Sequence, residues 1–222
     1  MTKKVIAFDL DDTLFKERDF VESGYIAVIN ELIKKYPIEK VSTLNKMLNS
    51  DNAFNCLLNI VKLINPKAAE DVYWCLNIYR NHYPSIRLDQ DTLDTINSLS
   101  KQSITLAIIT DGRAITQTNK INALGLNRFI NSKHILISEN IGRDKLSPVA
   151  FEILMSFFPH ITDFTYIGDN TSKDFLWPNK LGWKTICLKD NGKNIHHQNI
   201  DSPIEYKPKL VVNNISEILQ FI

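Results

Sequence analysis

Asp9 and Asp11 stand two residues apart in Asp9-Leu10-Asp11-Asp12-Thr13, directly after the apolar run Val5-Ile6-Ala7-Phe8. An extended segment sends alternate side chains to opposite faces, so Asp9 and Asp11 can share one site while Asp12 looks elsewhere. Two carboxylates at one place repel unless a cation neutralises them or one holds a proton, and hard oxygen ligands of this kind suit Mg2+. The plainer alternative is that these residues only cap the helix that follows, since Asp and Thr are common at helix starts.

Three further stretches place polar groups after apolar, strand-like runs. Ile104 to Ile109 runs into Thr110-Asp111-Gly112, just before a helix expected near Ala114. A hydroxyl, backbone amides and a helix N-terminus there favour a bound phosphate, and an N-cap followed by a turn glycine is the other reading. After His134 to Ile137 comes Gly142-Arg143-Asp144-Lys145-Leu146-Ser147-Pro148, then a helix expected over Val149 to Phe157. Ser147 as cap and Pro148 in the first turn fix that helix start, leaving Lys145 in the loop above it as a point charge for a phosphoryl oxygen. Phe164 to Ile167 leads into Gly168-Asp169-Asn170-Thr171-Ser172-Lys173-Asp174. Gly168 permits close backbone approach, and Asp169 would complete an oxygen set for Mg2+. Asp174 could be a ligand, could hold Asn170 and Lys173 in place, or could be a first-turn helix acid.

The elements that must position these groups follow from the spacing. Apolar runs at Val5 to Phe8, Ile104 to Ile109, His134 to Ile137, Phe164 to Ile167, Lys184 to Leu188 and Leu210 to Val212 are mostly separated by helix-length segments. That alternation predicts an α/β core, a Rossmann-like parallel sheet with helices on both faces, whose ligand site lies at the carboxyl ends of the strands. Between Phe15 and about Leu88 the strand pattern vanishes. Helices are expected instead over Phe20 to Tyr36, Val41 to Asn49, Asn52 to Leu63 and Pro66 to His82, the first with an apolar stripe of Val21, Tyr25, Val28, Ile29, Leu32 and Ile33. The expected division is a core of residues 1–15 and 89–222 with a small α-helical cap domain at 16–88. Residues Asn191 to Pro208, with His196 and His197, read as a surface loop before a last strand and a short helix at Ile215 to Phe221.

Composition bounds the function classes. The 222 residues are 44% hydrophobic and 23% charged, and Lys+Arg of 26 against Asp+Glu of 25 gives a net charge of +1. No basic tract marks a nucleic-acid surface, so nucleic acid is not expected as a partner. The apolar stretch after Lys4 stops at Asp9, too short for a signal-peptide core or a membrane span, so a cytoplasmic protein is expected. Cys56, Cys75 and Cys187 lack a CxxC spacing and read as free, buried thiols.

Taken in order, Asp9-x-Asp11-x-Thr13, Thr110, Lys145 and Gly168-Asp169 with Asp174 resemble the four motifs of the haloacid dehalogenase-like hydrolase superfamily. The likeness covers essentially the whole chain, including the helical insertion after the first motif. It implies that Asp9 is a nucleophile that becomes an aspartyl-phosphate, and that Asp11 is the general acid and then the general base. It also implies Mg2+ on Asp9, the backbone carbonyl of Asp11 and Asp169, with Thr110, Asp111 and Lys145 around the phosphoryl group and Thr13, Gly168, Asn170 and Asp174 in support. Members that displace halide resemble this pattern without the second Asp, so the presence of Asp11 favours a Mg-dependent phosphatase. Leu146 stands where relatives often carry Pro, and Lys173 where many carry Asn; Lys173 could pair with Asp174.

A roofed pocket suits a small phosphorylated metabolite. Glu17, Arg18 and Phe20 at one end of the insertion, and Arg80, His82 and Arg87 at the other, are candidate substrate contacts, each also readable as a surface group. Two alternatives differ in kind: a phosphomutase of the β-phosphoglucomutase type, which needs a cap basic group and a bisphosphate activator, and a non-catalytic binding protein, which would be expected to have lost Asp9, Asp11, Lys145 or Asp169. The motifs leave the substrate and the oligomeric state open.

Overall fold

The computed structural model describes residues 3–198 and 203–222; Met1, Thr2 and residues 199–202 of the expected tail loop lie outside the described residues. Among the described residues six strands, β1 Lys4–Phe8, β2 Ile104–Thr110, β3 Ile135–Ile137, β4 Phe164–Gly168, β5 Lys184–Leu188 and β6 Leu210–Val212, form one sheet in the order β3-β2-β1-β4-β5-β6. Every pairing is parallel. The central apolar runs form strands buried on both sides, Val5, Ile6, Ala7 and Phe8 of β1 being fully covered, whereas Val211 of the edge strand β6 is exposed. The expected α/β sheet is therefore present.

The register sets where the site can be. Phe8 pairs with Ile108 on one side and Ile167 on the other, so Asp9, Thr110 and Asp169 leave the sheet at its carboxyl edge side by side. The Asp9 amide continues the ladder by donating to the Ile167 carbonyl at 2.8 Å.

The helices are α1 Glu17–Ile33, α2 Lys40–Leu48, α3 Ala53–Ile64, α4 Val72–Asn81, α5 Gln90–Ser100, α6 Ala114–Ala123, α7 Ser138–Ile141, α8 Val149–Ser156 and α9 Leu176–Lys180. The chain forms two compact units, residues 1–18 with 87–222, and residues 19–86. In the first, Val5, Ala7, Ala107, Phe151, Tyr166 and Trp183 belong to one core. In the second, Val28, Leu32, Met47, Leu57, Val61 and Cys75 form a separate core among α1 to α4.

Several expected boundaries shift, each for a local reason. The first helix begins at Glu17 rather than Phe20, because Asp12 Oδ1 accepts the Glu17 amide at 3.1 Å. Its covered residues are Phe20, Gly24, Val28, Ile29 and Leu32, whereas Ile33 of the expected stripe is 39% exposed. The helix expected from Pro66 begins at Val72: Asn65 Oδ1 turns the chain by accepting the Lys67 amide, and Asp71 Oδ1 caps α4 by accepting the Trp74 amide at 2.8 Å. Ser147 Oγ takes the Val149 amide at 3.4 Å, although Pro148 occupies the cap position of α8. The last helix is a 3-10 turn over Ile215–Gln220. Helix α5 was not expected; Asp89 caps it by accepting the Thr92 amide at 2.7 Å. Among the described residues no helix is long and apolar enough to cross a membrane.

Candidate active site

At the carboxyl edge of the sheet, a cleft of about 90 Å³ is lined by Asp9, Asp11, Asp12, Glu17, Thr110, Asp111, Asp169, Asn170, Lys173 and His196. Asp9 and Asp169, 5% and 3% exposed, come from the ends of neighbouring β1 and β4. Burial, the strongest influence on both, pushes the Asp9 carboxyl up to about 7 and the Asp169 carboxyl up to about 8. The Lys145 cation works against the rise at Asp9, and the Asp174 charge adds to it at both.

The three acidic residues after β1 diverge in role. Asp12, at φ 55°, turns its carboxylate away to the Glu17 amide and to the Ile195 amide at 2.9 Å. The capping reading is thus right for Asp12 alone. Asp11 Oδ1 pairs with Lys120 Nζ at 2.7 Å, and Asp11 Oδ2 accepts from Gln117 Nε2 at 2.9 Å. Thr13 Oγ1 donates to Asp169 Oδ1 at 3.3 Å.

Lys145 is 1% exposed, and its Nζ lies 2.8 Å from Asp9 Oδ2 and 2.6 Å from Asp174 Oδ1. Burial opposes its charge, but the Asp174 and Asp9 carboxylates overcome this and hold the ammonium well above the ordinary lysine range. Asp174 precedes α9 rather than lying in its first turn. Its Oδ2 accepts the amides of Asp169 at 3.1 Å and Asn170 at 2.8 Å. A Cβ at position 168 would collide with that carboxylate, which explains Gly168.

Asp111 Oδ1 accepts the Lys145 amide at 3.0 Å, and Asp111 Oδ2 pairs with Lys173 Nζ at 3.1 Å. Lys173 therefore meets Asp111, where the sequence leaves open a pairing with Asp174. The loop amides expected to be open to a phosphate are partly engaged: Gly112 donates to Ser138 Oγ at 2.9 Å and Ala114 to Glu139 Oε2 at 2.8 Å. Thr110, 1% exposed, remains a cleft-lining hydroxyl.

Sequence reasoning placed a helix near Ala114 but missed what α6 and the tail contribute to the site. Gln117 and Lys120 fall three apart on α6, a spacing that puts both on one helix face and was available in the sequence as the only hint. The tail is more than a solvated loop: Asn194 Nδ2 donates to Asp169 Oδ2 at 2.8 Å, and Gln198 Nε2 donates to the Asp169 carbonyl at 2.9 Å. His196 lines the cleft. Of the expected substrate contacts, Glu17 also lines it, its carboxyl raised to about 7 by burial and then by the Asp11 charge. Arg18 is exposed and outside the lining, and Arg80 lies on α4 in the helical unit. In that unit His82 is held by the Tyr79 carbonyl at 2.6 Å and packs on Phe20 at 4.9 Å between centroids. The thiols of Cys75 and Cys187 are buried and pushed up to about 12, as inert structural cysteines are.

Residues 6–188 match the model of the family described as haloacid dehalogenase-like hydrolase. The chain belongs to this family. As a haloacid dehalogenase-like hydrolase it is 28% identical over 207 residues to glyceraldehyde 3-phosphate phosphatase of Pyrococcus furiosus, covering 84% of this chain and 80% of the relative. It is 26% identical over 230 residues to the enzyme of that name from Methanocaldococcus jannaschii, covering 99% and 96%. A structure of YfnB from Bacillus subtilis bound to magnesium superposes with TM-score 0.64 at 18% identity, covering 100% of this chain and 99% of that one. A 2-haloacid dehalogenase from Pseudomonas syringae superposes with TM-score 0.63 at 19% identity, covering 99% and 97%.

The donor set fits a hard divalent cation. Oxygens of Asp9, Asp169 and Asp174 lie within 4.8 Å of one another. Asp174 is the most heavily engaged of the three, with Lys145 on one oxygen and two backbone amides on the other, while Asp9 and Asp169 line the cleft. Burial raises the proton affinity of both, so a divalent cation there would relieve the cost of holding two ionised carboxylates out of water.

Proposed function

We propose that this haloacid dehalogenase-like hydrolase is a Mg2+-dependent phosphatase that hydrolyses a small phosphate monoester in the cytoplasm through an aspartyl-phosphate. The observation that carries the reading is the grouping of Asp9 with Lys145 at 2.8 Å while Asp11, two residues on, faces the same cleft on separate partners. A nucleophile, a cation for the phosphoryl oxygens and an independent acid are the parts that a double displacement at phosphorus needs.

Asp9 attacks phosphorus as the bond to the leaving oxygen breaks, and Asp11 gives that oxygen a proton. Asp11 then takes a proton from water as the water oxygen displaces Asp9 from phosphorus, returning both residues to their starting states. Thr110 donates to a phosphoryl oxygen and Lys145 supplies charge to it. Asp9, Asp169 and the Asp11 carbonyl are the groups to hold Mg2+, which when bound neutralises the paired carboxylates and the phosphoryl charge. Asp11 also separates this reading from the halide chemistry named for one structural neighbour, which has no alkoxide to protonate.

The names of the relatives, glyceraldehyde 3-phosphate phosphatases, support a small phosphorylated sugar as the substrate class. In this reading the helical unit, residues 19–86, is the cap domain.

The test is phosphate release from a panel of phosphorylated sugars, small acids and nucleotides, with Mg2+ or with EDTA, comparing wild type and Asp9→Asn. Release that needs Mg2+ and disappears in Asp9→Asn is expected; release that survives Asp9→Asn would remove Asp9 as nucleophile.

A further inference from the structure

Beyond the residues that face the cleft, α6 carries a buried amide that touches both halves of the proposed chemistry. Gln117, 1% exposed, sends Nε2 to Thr110 Oγ1 at 2.7 Å, to Asp11 Oδ2 at 2.9 Å and to the Asp111 carbonyl at 3.2 Å. Gln117 is not among the cleft-lining residues, whereas Thr110 and Asp11 both are. One turn on, Lys120, 3% exposed, holds the other Asp11 oxygen at 2.7 Å. Gly112, at φ +142°, leaves the space: a Cβ there would press on Gln117 Cγ and Cδ at 3.1 Å.

From this geometry we infer that Gln117 is a positioning residue that aligns the phosphate-binding hydroxyl of Thr110 and the proton-transfer carboxyl of Asp11 through one side chain, with Lys120 closing the bracket. An amide N–H given to Thr110 Oγ1 occupies an acceptor site of that hydroxyl and keeps the hydroxyl's own hydrogen off the Gln117 side, leaving it to be donated to a phosphoryl oxygen in the cleft that Thr110 lines. The same amide fixes the rotation of the Asp11 carboxyl. Asp11 can then meet the leaving oxygen as the bond from that oxygen to phosphorus breaks, the electron pair stays on oxygen, the Asp11 proton moves to it, and the new bond forms from Asp9 to phosphorus. Alignment of this kind matters because small misplacements of a catalytic group are costly. This inference rests on the reading of Asp11 as general acid.

The experiment measures kcat/KM, which reports phosphoryl transfer to Asp9, for glycerol phosphate, phenyl phosphate and 2,4-dinitrophenyl phosphate, together with inhibition by inorganic phosphate. Wild type, Gln117→Met and Asp11→Asn are compared in Mg2+. A poor leaving group needs the proton and a dinitrophenolate does not. Gln117→Met is therefore expected to lose roughly 10²-fold on glycerol phosphate and under about 3-fold on the dinitrophenyl ester. Inhibition by inorganic phosphate should weaken by roughly 3- to 10-fold as the Thr110 hydroxyl loses its orientation. An equal loss on all three esters with unchanged phosphate inhibition is what a merely structural residue gives, and it would overturn the inference. A steep leaving-group dependence in Asp11→Asn with a flat one in Gln117→Met would overturn the inference alone. A flat profile in Asp11→Asn would overturn the general-acid reading and this inference with it. If Gln117→Met does not fold, Gln117→Leu also lacks the donor and is held to the same outcomes.

Discussion

Lys145 and Asp174 form a sealed ion pair, Nζ to Oδ1 at 2.6 Å with side chains 1% and 0% exposed. Lys145 sits beyond β3 and Asp174 beyond β4, and the sheet order puts β2 and β1 between those strands. The pair therefore joins loops on either side of β1, and its cation also reaches Asp9 at 2.8 Å. The contact that braces the site also places the charge that the reaction would use.

Breaking that pair should cost stability as well as activity. Asp174→Asn leaves a buried ammonium with one carboxylate fewer, and losing one partner of a buried pair costs about 3–5 kcal/mol. Urea unfolding of the metal-free variant should give an unfolding free energy lower by that amount, with an earlier midpoint; an unchanged free energy would mean that the Asp9 contact alone suffices.

Gly168→Ala should be damaging although it adds only a methyl group. The new Cβ meets the Asp174 carboxylate and sits 3.1 Å from the Tyr166 ring, so strand end and loop must part. Overpacking of this kind costs roughly 1–3 kcal/mol. Thermal denaturation should report a lower melting temperature, and kcat should fall because Asp169 and Lys145 are both tied to Asp174.

The metal-free protein should lose stability as pH rises from about 4 to about 8. Asp9 and Asp169 begin from 3.8 in the unfolded chain and are raised to about 7 and about 8 in the fold. Across that interval the folded state holds protons that the unfolded chain has released, so the number bound on unfolding falls and stability declines with pH. Their contribution is whole below 3.8 and lost once pH passes the raised values. Mg2+ should compete with those protons, so melting scans with Mg2+ and with EDTA should diverge more at pH 8 than at pH 5. A constant gap would contradict Asp9 and Asp169 as the ligands.

Asn194→Ala should weaken metal binding without unfolding the sheet. Asn194 Nδ2 holds Asp169 Oδ2 at 2.8 Å from a partly exposed loop. Loss of such an orienting partner typically costs 10- to 100-fold in metal affinity. The Mg2+ concentration for half-maximal activity should rise by roughly that factor, with the melting temperature in EDTA little changed.

The chain by itself determined its sheet and the seats of its acidic groups. Buried parallel strands need continuous apolar runs, and a polar residue placed directly after such a run must emerge at the strand's carboxyl end, so Asp9, Thr110 and Asp169 were legible from local pattern. Their mutual approach follows once the strands are parallel neighbours. Helix ends were less legible, because Asp12 and Asp71 reset them with side-chain caps whose reach depends on the turn made.

What only the tertiary structure decided was the pairing of charges. Whether Lys173 meets Asp174 or Asp111, and whether Asp174 reaches Lys145, depends on distances of a few ångströms between loops remote in sequence. Gln117 and Lys120 are ordinary residues of a polar helix by composition. They become partners of Asp11 because α6, leaving the end of β2, turns one face toward the end of β1, and a contact across more than 100 residues leaves no local periodicity to read. The tail is the same case: Asn194 and Gln198 look like solvated loop residues until the fold lays them against Asp169.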